Sequence, residues 1–276
     1  MFGVEKVEES WPEYGIEEYY LTWNGEPIPW KAIVRRGKLV HIASRKYRVL
    51  PLEVSVKASD EAAKAVGAVK IREFYNTPDN TRVYVLYDLM QAAEPIRGVR
   101  TRLGFYTYNS IDGSLAFGAS MLSILDRGNG TFYGFIPTAR LSTYLSPTAA
   151  IAIVRRPHTP GIETDVGRIA GKLREMVERG REAIAVYRLW AELELDREIA
   201  RTVVERLPEA YIPRYVKALS EGVTLSELVT VWDAYVDISS MIWRGRTSGK
   251  EAKIDRKIEL YRMLHSALPT PRKELE

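Results

Sequence analysis

The chain has 276 residues, of which 46% are hydrophobic and 28% charged, with a formal net charge of +4. That length buries a substantial core in one or two domains, and the mild basic balance permits an anionic partner without demanding one. Cysteine is absent, which excludes a disulfide framework, a thiolate zinc site, an iron–sulfur cluster and a cysteine nucleophile, and fits a reducing compartment or a hot host.

Charge is distributed unevenly from the start. Glu5, Glu8, Glu9, Glu13, Glu17, Glu18 and Glu26 stand against Lys6 alone, and then Lys31, Arg35, Arg36, Lys38, Arg45, Lys46 and Arg48 follow with no acid among them. Cross-strand pairing of these two segments on one sheet is the plainest reading. Residues 1–11 lack the cationic and apolar stretches of a signal peptide, and the longest apolar run, residues 148–154, is too short to span a bilayer. A cytoplasmic protein with no membrane segment is therefore expected.

Strand signals dominate residues 16–156. An aromatic, β-branched run at 19–23 meets the turn Asn24-Gly25, and residues 32–36 and 39–42 flank Gly37 as a hairpin. Helical periodicity interrupts at 51–66, with Pro51 at its start and Gly67 past its end. Strands are predicted again at 69–75, 82–87, 100–108, 115–121, 131–136 and 149–154. Beyond Pro160 the spacing turns helical through Val166, Ile169, Leu173, Met176, Val177, Ile184 and Tyr187. Shorter helices are expected at 196–206 and 213–220. Thr224-Leu-Ser-Glu227 has the form of a capping box and predicts a helix carrying Leu225, Leu228, Trp232, Tyr235 and Ile242 to Gly245. A basic helix at 249–268 closes the pattern. The expected fold is α+β: a β-rich region over 1–157 with one helix, and a helical region over 158–276 packed on it.

Motifs for familiar chemistry are missing. There is no phosphate-binding loop, no dinucleotide fingerprint and no nucleophile elbow. The three histidines, His41, His158 and His265, fall on different elements, so neither a zinc site nor a hydrolytic triad is expected. Asp233 and Asp237 share a helix face beside Arg244 and read as solvated rather than magnesium-binding. Glu251-Ala-Lys253 has the Glu-x-Lys form of a nuclease site but opens a helix, where that chemistry needs a strand. No cofactor is expected.

Two features point to nucleic acid. Alternation along residues 100–108 puts Arg100, Arg102, Gly104, Tyr106 and Tyr108 on one face, where guanidinium groups neutralise phosphates and phenols stack on bases. The acid-free hairpin adds Arg35, Arg36, Lys38, Arg45, Lys46 and Arg48 to hold a backbone. The competing reading of the strand is a solvated or helix-covered sheet face whose tyrosines serve β propensity. A helix–turn–helix over 213–242 is disfavoured, because its second helix offers Val229, Trp232, Asp233, Val236 and Asp237 instead of a base-reading face.

The order of several segments resembles the phage and plasmid-like DUF932 family over about residues 30–265. The resemblance is carried by Ile42-Ala-Ser-Arg-Lys-Tyr-Arg-Val-Leu-Pro51, Asn109-Ser-Ile-Asp-Gly-Ser114, Arg155-Arg-Pro-His-Thr159 and Thr230-Val-Trp-Asp-Ala-Tyr235. The chain departs from the family at Gly134-Phe-Ile136, where a Cys-Asn is frequent, and at Val236, where a late Asn is. The family brings no established activity; its setting implies mobile-element replication, recombination or defence. Single-strand binding or annealing, as in Rad52-type proteins by fold analogy, is thus the leading expectation, with single-stranded DNA the favoured partner. The alternative is a non-catalytic oligomeric structural or interaction protein, anchored by Trp190, Trp232 and Trp243. A metal-dependent nuclease comes third.

Overall fold

The computed structural model describes residues 1–7, 10–76, 80–136, 154–162, 169–245 and 253–269. The chain forms two antiparallel sheets in its N-terminal half and helices in its C-terminal half, an α+β fold. The first sheet has four strands in sequential order: β1 (Phe2–Lys6), β2 (Ile16–Trp23), β3 (Glu26–Arg35) and β4 (Lys38–Ser44). Two of its turns are X-Gly pairs with positive φ at both positions, Asn24 (51°) with Gly25 (83°) and Arg36 (51°) with Gly37 (78°). This is the two-residue hairpin geometry that matches strand twist. It suits Asn and Gly but strains Arg36.

Helix α1 (Leu52–Ala65) leads into the second sheet, of seven strands, comprising β5 (Val69–Asn76), β6 (Arg82–Asp88), β7 (Glu94–Ile96), β8 (Val99–Ser110), β9 (Phe117–Asp126), β10 (Thr131–Phe135) and β11 (Val154–Arg156). Its main path runs β10-β9-β8-β6-β5, with β11 also on β9 and β7 folded onto β8. The sheet is spanned centrally by β8, whose close approach to β6 requires Gly104: a Cβ there would stand 2.2 Å from the Tyr87 carbonyl oxygen. The predicted strand at 149–154 overlaps β11 only at Val154, and residues 149–153 lie outside the described residues.

The helices that follow are α2 (Ile169–Glu192), α3 (Arg197–Arg206), α4 (Arg214–Ser220), α5 (Val231–Arg244) and α6 (Lys253–Ala267). Helix α3 is capped by Asp196, whose carboxylate accepts from the Ile199 amide at 2.8 Å. Helix α5 starts six residues later than the Thr224 capping box predicts, because its box is Thr230 with Asp233. Leu225 and Leu228 therefore sit off the helix, Leu228 exposed, and the helix–turn–helix arrangement does not form.

Both faces of the second sheet are covered. Helix α1 packs on one face, where the Tyr87 hydroxyl donates to the Asp60 carboxylate at 2.7 Å and Tyr87 stacks on Phe105. Helix α5 lies along the β10 edge. Its Trp243 meets Tyr133 and Phe135, and its Tyr235 approaches Ser123, which points to the opposite face. Helix α6 adds Tyr261 against Phe135. Among the described residues no helix is long and apolar enough to cross a membrane.

Candidate interaction surface

The first sheet distributes its side chains against the usual rule. Register places Ile16, Glu18 and Tyr20 on the same side as Lys31, Ile33 and Arg35, and this side faces the protein body. Lys31 is fully buried and pairs with the equally buried Glu18. Arg35, also buried, reaches Glu53 of α1 at 3.1 Å and the Asn80 carbonyl. Arg45 covers the Tyr20 ring at 4.5 Å. The pairing of the opening glutamates with the basic segment is thus realised in Glu18–Lys31, while Arg35 takes its acid from the helix.

The opposite side of the same sheet faces solvent and is apolar. Val4, Tyr19, Leu21, Trp30, Leu39 and Ile42 alternate onto it, with Val4 67%, Leu39 60% and Ile42 51% exposed. Phe2 and Trp23 extend it, their rings in edge contact at 4.5 Å. Away from the hairpin tips its charges are Lys6 and Glu17, which neutralise each other at 2.5 Å. A sheet ordinarily hides its apolar side and wets its charged one. Here ion pairs are inside and hydrocarbon outside, which fits a surface that another molecule covers.

The predicted phosphate-and-base track does not assemble. Tyr106 is 6% exposed and its ring meets Phe135 at 5.0 Å, beneath the helices. Tyr108 is half-buried against the same core, and Tyr84 beside it donates to Asp255 of α6. Arg102 is held by Asp88 at 2.7 Å. The helix-covered reading of this strand is the correct one, since α5 and α6 need an aromatic sheet face to pack on. Arg100 is exposed at the far end of β8, opposite Asp126. Arg36 and Lys38 are exposed at one end of β4; Lys46, also exposed, and the half-buried Arg48 follow its other end. With Arg35 and Arg45 turned inward, these cations belong to separate places.

Two of the three histidines, expected to be scattered, come together. His41 and His158 lie on either side of Tyr47, with ring centroids at 5.5 Å and 5.0 Å, the His158 ring stacked. His158 Nδ1 lies 3.0 Å from the Arg48 carbonyl, and the Arg48 amide donates to the His158 carbonyl at 3.0 Å. Asp112 completes the group, accepting from Thr81 at 2.8 Å, from Arg82 Nε at 3.1 Å and from the Ser114 amide at 3.0 Å. Burial alone would raise the Asp112 carboxyl, but these donors outweigh it and hold the group below the ordinary range. Burial pushes the His158 and His41 imidazoles down. Three segments distant in sequence therefore meet here, through Tyr47, Asp112 and His158. The cluster joins the two sheets, since β4 and the β8–β9 turn both contribute to it.

No family model, curated protein or solved structure matches this chain. Trp190 and Trp232, predicted as interface anchors, are core residues packed against Tyr187 and Tyr235, and Trp243 is half-buried against Tyr133. Asp233 is not simply solvated: it closes the capping box and lies 3.3 Å from Arg97. Asp237 takes Arg127 and the Tyr215 hydroxyl. Among the described residues no group of three or more His, Asp or Glu could hold a metal ion. The anchors that sequence reasoning missed are Phe2, Trp23 and Trp30. Their signal was available, because each falls in an alternation with further apolar residues of the same strand or its neighbour.

Proposed function

We propose that this chain is a protein-interaction module whose working surface is the outer face of the first sheet. The single observation that carries the reading is the exposed apolar outer side of that sheet, opposite an inner side that already buries Ile16, Ile33 and two ion pairs. Exposed apolar area of this extent lowers solubility unless a partner covers it, and aromatic anchors such as Trp23 and Trp30 are the residue type that dominates protein interfaces. A polynucleotide partner is less well served. Its bases find aromatic rings on the face, but away from the hairpin tips its phosphates find, among the described residues, no cation there other than Lys6, already neutralised by Glu17.

A photo-crosslinking residue placed at Ile42 in the native cells tests the reading. A defined protein adduct is expected at Ile42 and none at Leu228, which is as exposed but lies off the sheet. Absence of any protein adduct, or crosslinking to nucleic acid alone, refutes it.

A further inference from the structure

We infer that the occupant of this face is a second copy of the same chain, packed sheet against sheet about a two-fold axis. The inference rests on the interaction-surface reading and adds the identity of the partner. Charge is the first argument. Each copy carries a formal net charge of +4, yet the face itself is neutral, its Lys6 and Glu17 satisfied within one chain. A strongly charged partner would meet no complement there. An identical face brings hydrocarbon to hydrocarbon and leaves both ion pairs intact.

Area is the second argument. With strands about 4.8 Å apart and rising about 3.3 Å per residue, four strands of five or six residues make a patch of roughly 350 Å² in plane. Protruding side chains such as Val4, Trp30, Leu39 and Ile42 add to that figure as accessible surface, toward the roughly 800 Å² per partner of a stable interface. Two twisted sheets meeting face to face keep their strands about 30° apart and interdigitate their side chains at about 10 Å separation. An isologous contact needs only that the patch complement itself. Large residues such as Trp30, Leu39 and Ile42 stand beside Ala32 and Ser44 in the same register, so the face has both knobs and the gaps to receive them.

The absence of cysteine makes the test clean. Sedimentation velocity on the full chain from 1 to 100 μM is expected to show a mass of two chains at the upper end. Leu39→Lys with Ile42→Lys is expected to weaken association at least tenfold while leaving the far-ultraviolet spectrum unchanged. Should that double variant misfold, Val4→Lys serves the same purpose on β1. A spin label at Leu39→Cys is expected to report a single inter-chain distance below about 30 Å, consistent with sheets about 10 Å apart. A monomer at 100 μM overturns the inference, as does a dimer that the face variants leave intact. The crosslink at Ile42 separates this failure from failure of the underlying reading: an adduct to a different protein keeps the interaction surface and discards the second copy.

Discussion

Lys31 offers the sharpest test of the inverted sheet. Its ammonium is fully buried and faces Glu18, whose side chain is 4% exposed. Replacing Lys31 with Met keeps most of the side-chain volume and removes the charge, so Glu18 is left as a buried carboxylate without its cation. Breaking a buried pair in this way costs about 3–5 kcal/mol. For a chain of this size that corresponds to a fall in Tm of very roughly 6–20 °C, at about 2–4 °C per kcal/mol. The double variant Glu18→Leu with Lys31→Met removes both charges, and its stability is expected to return to within about 1 kcal/mol of the parent or to exceed it. Urea unfolding at pH 7, followed by tryptophan fluorescence and circular dichroism together, measures all three proteins. Lys6→Met supplies the exposed control, since its pair with Glu17 is solvated and contributes little to stability. If Lys31→Met costs no more than Lys6→Met, Glu18 has reached solvent and the inside-out description of the sheet is wrong. Because both substitutions lie on the inner side, neither should alter association.

Other expectations follow from single positions. Arg36 sits at φ 51° in a turn that favours Asn or Gly; Arg36→Asn is expected to stabilise by about 0.5–1 kcal/mol, read as a raised Tm. Thr230→Ala removes the cap of α5 and is expected to cost about 1 kcal/mol in urea unfolding, with no change in sheet association. Burial lowers the His158 imidazole below its ordinary value of 6.5. The folded protein therefore releases that proton more readily than the unfolded chain. Stability is full above pH 6.5 and declines as pH falls from there toward the depressed folded value, below which the loss is complete. His158→Gln is expected to flatten this stretch of the stability–pH curve, and an unchanged slope would remove His158 as its cause.

Much of the second sheet was legible because its strands obey period two and end in Gly, Asn or Asp. Tyr106 and Tyr108 do share a face with Arg102, as alternation requires. Alternation does not say which face meets water. That depends on α5 and α6, which lie more than a hundred residues further along the chain and bring Asp255 to Tyr84 and Tyr261 to Phe135. The start of α5 illustrates the same limit. Thr224 with Glu227 and Thr230 with Asp233 both satisfy the local capping pattern. The choice is made by non-local backbone bonds, Leu195 to the Val229 carbonyl and Val231 to the Leu193 carbonyl, each 2.9 Å, which hold residues 229–231 against the end of α2.

The first sheet carried a deeper ambiguity. Glu18 and Lys31 stand 13 positions apart in sequence, and nothing local reveals that the β2–β3 register will place them side by side out of water. Read strand by strand, a row containing Glu18, Lys31 and Arg35 looks like the solvent side, and a row containing Leu21, Ala32 and Val34 looks like the core. The charged row is instead buried together with Ile16 and Ile33, and the apolar row is largely exposed, with Leu39 and Ile42 more than half exposed. The reversal is tolerable because the charged row is neutralised by partners, Glu18 for Lys31 and Glu53 for Arg35, so its burial costs less than that of unpaired ions. Among the described residues the apolar row has no such compensation. Its exposure is the unsatisfied half of the arrangement, and a covering partner is the physical means of satisfying it.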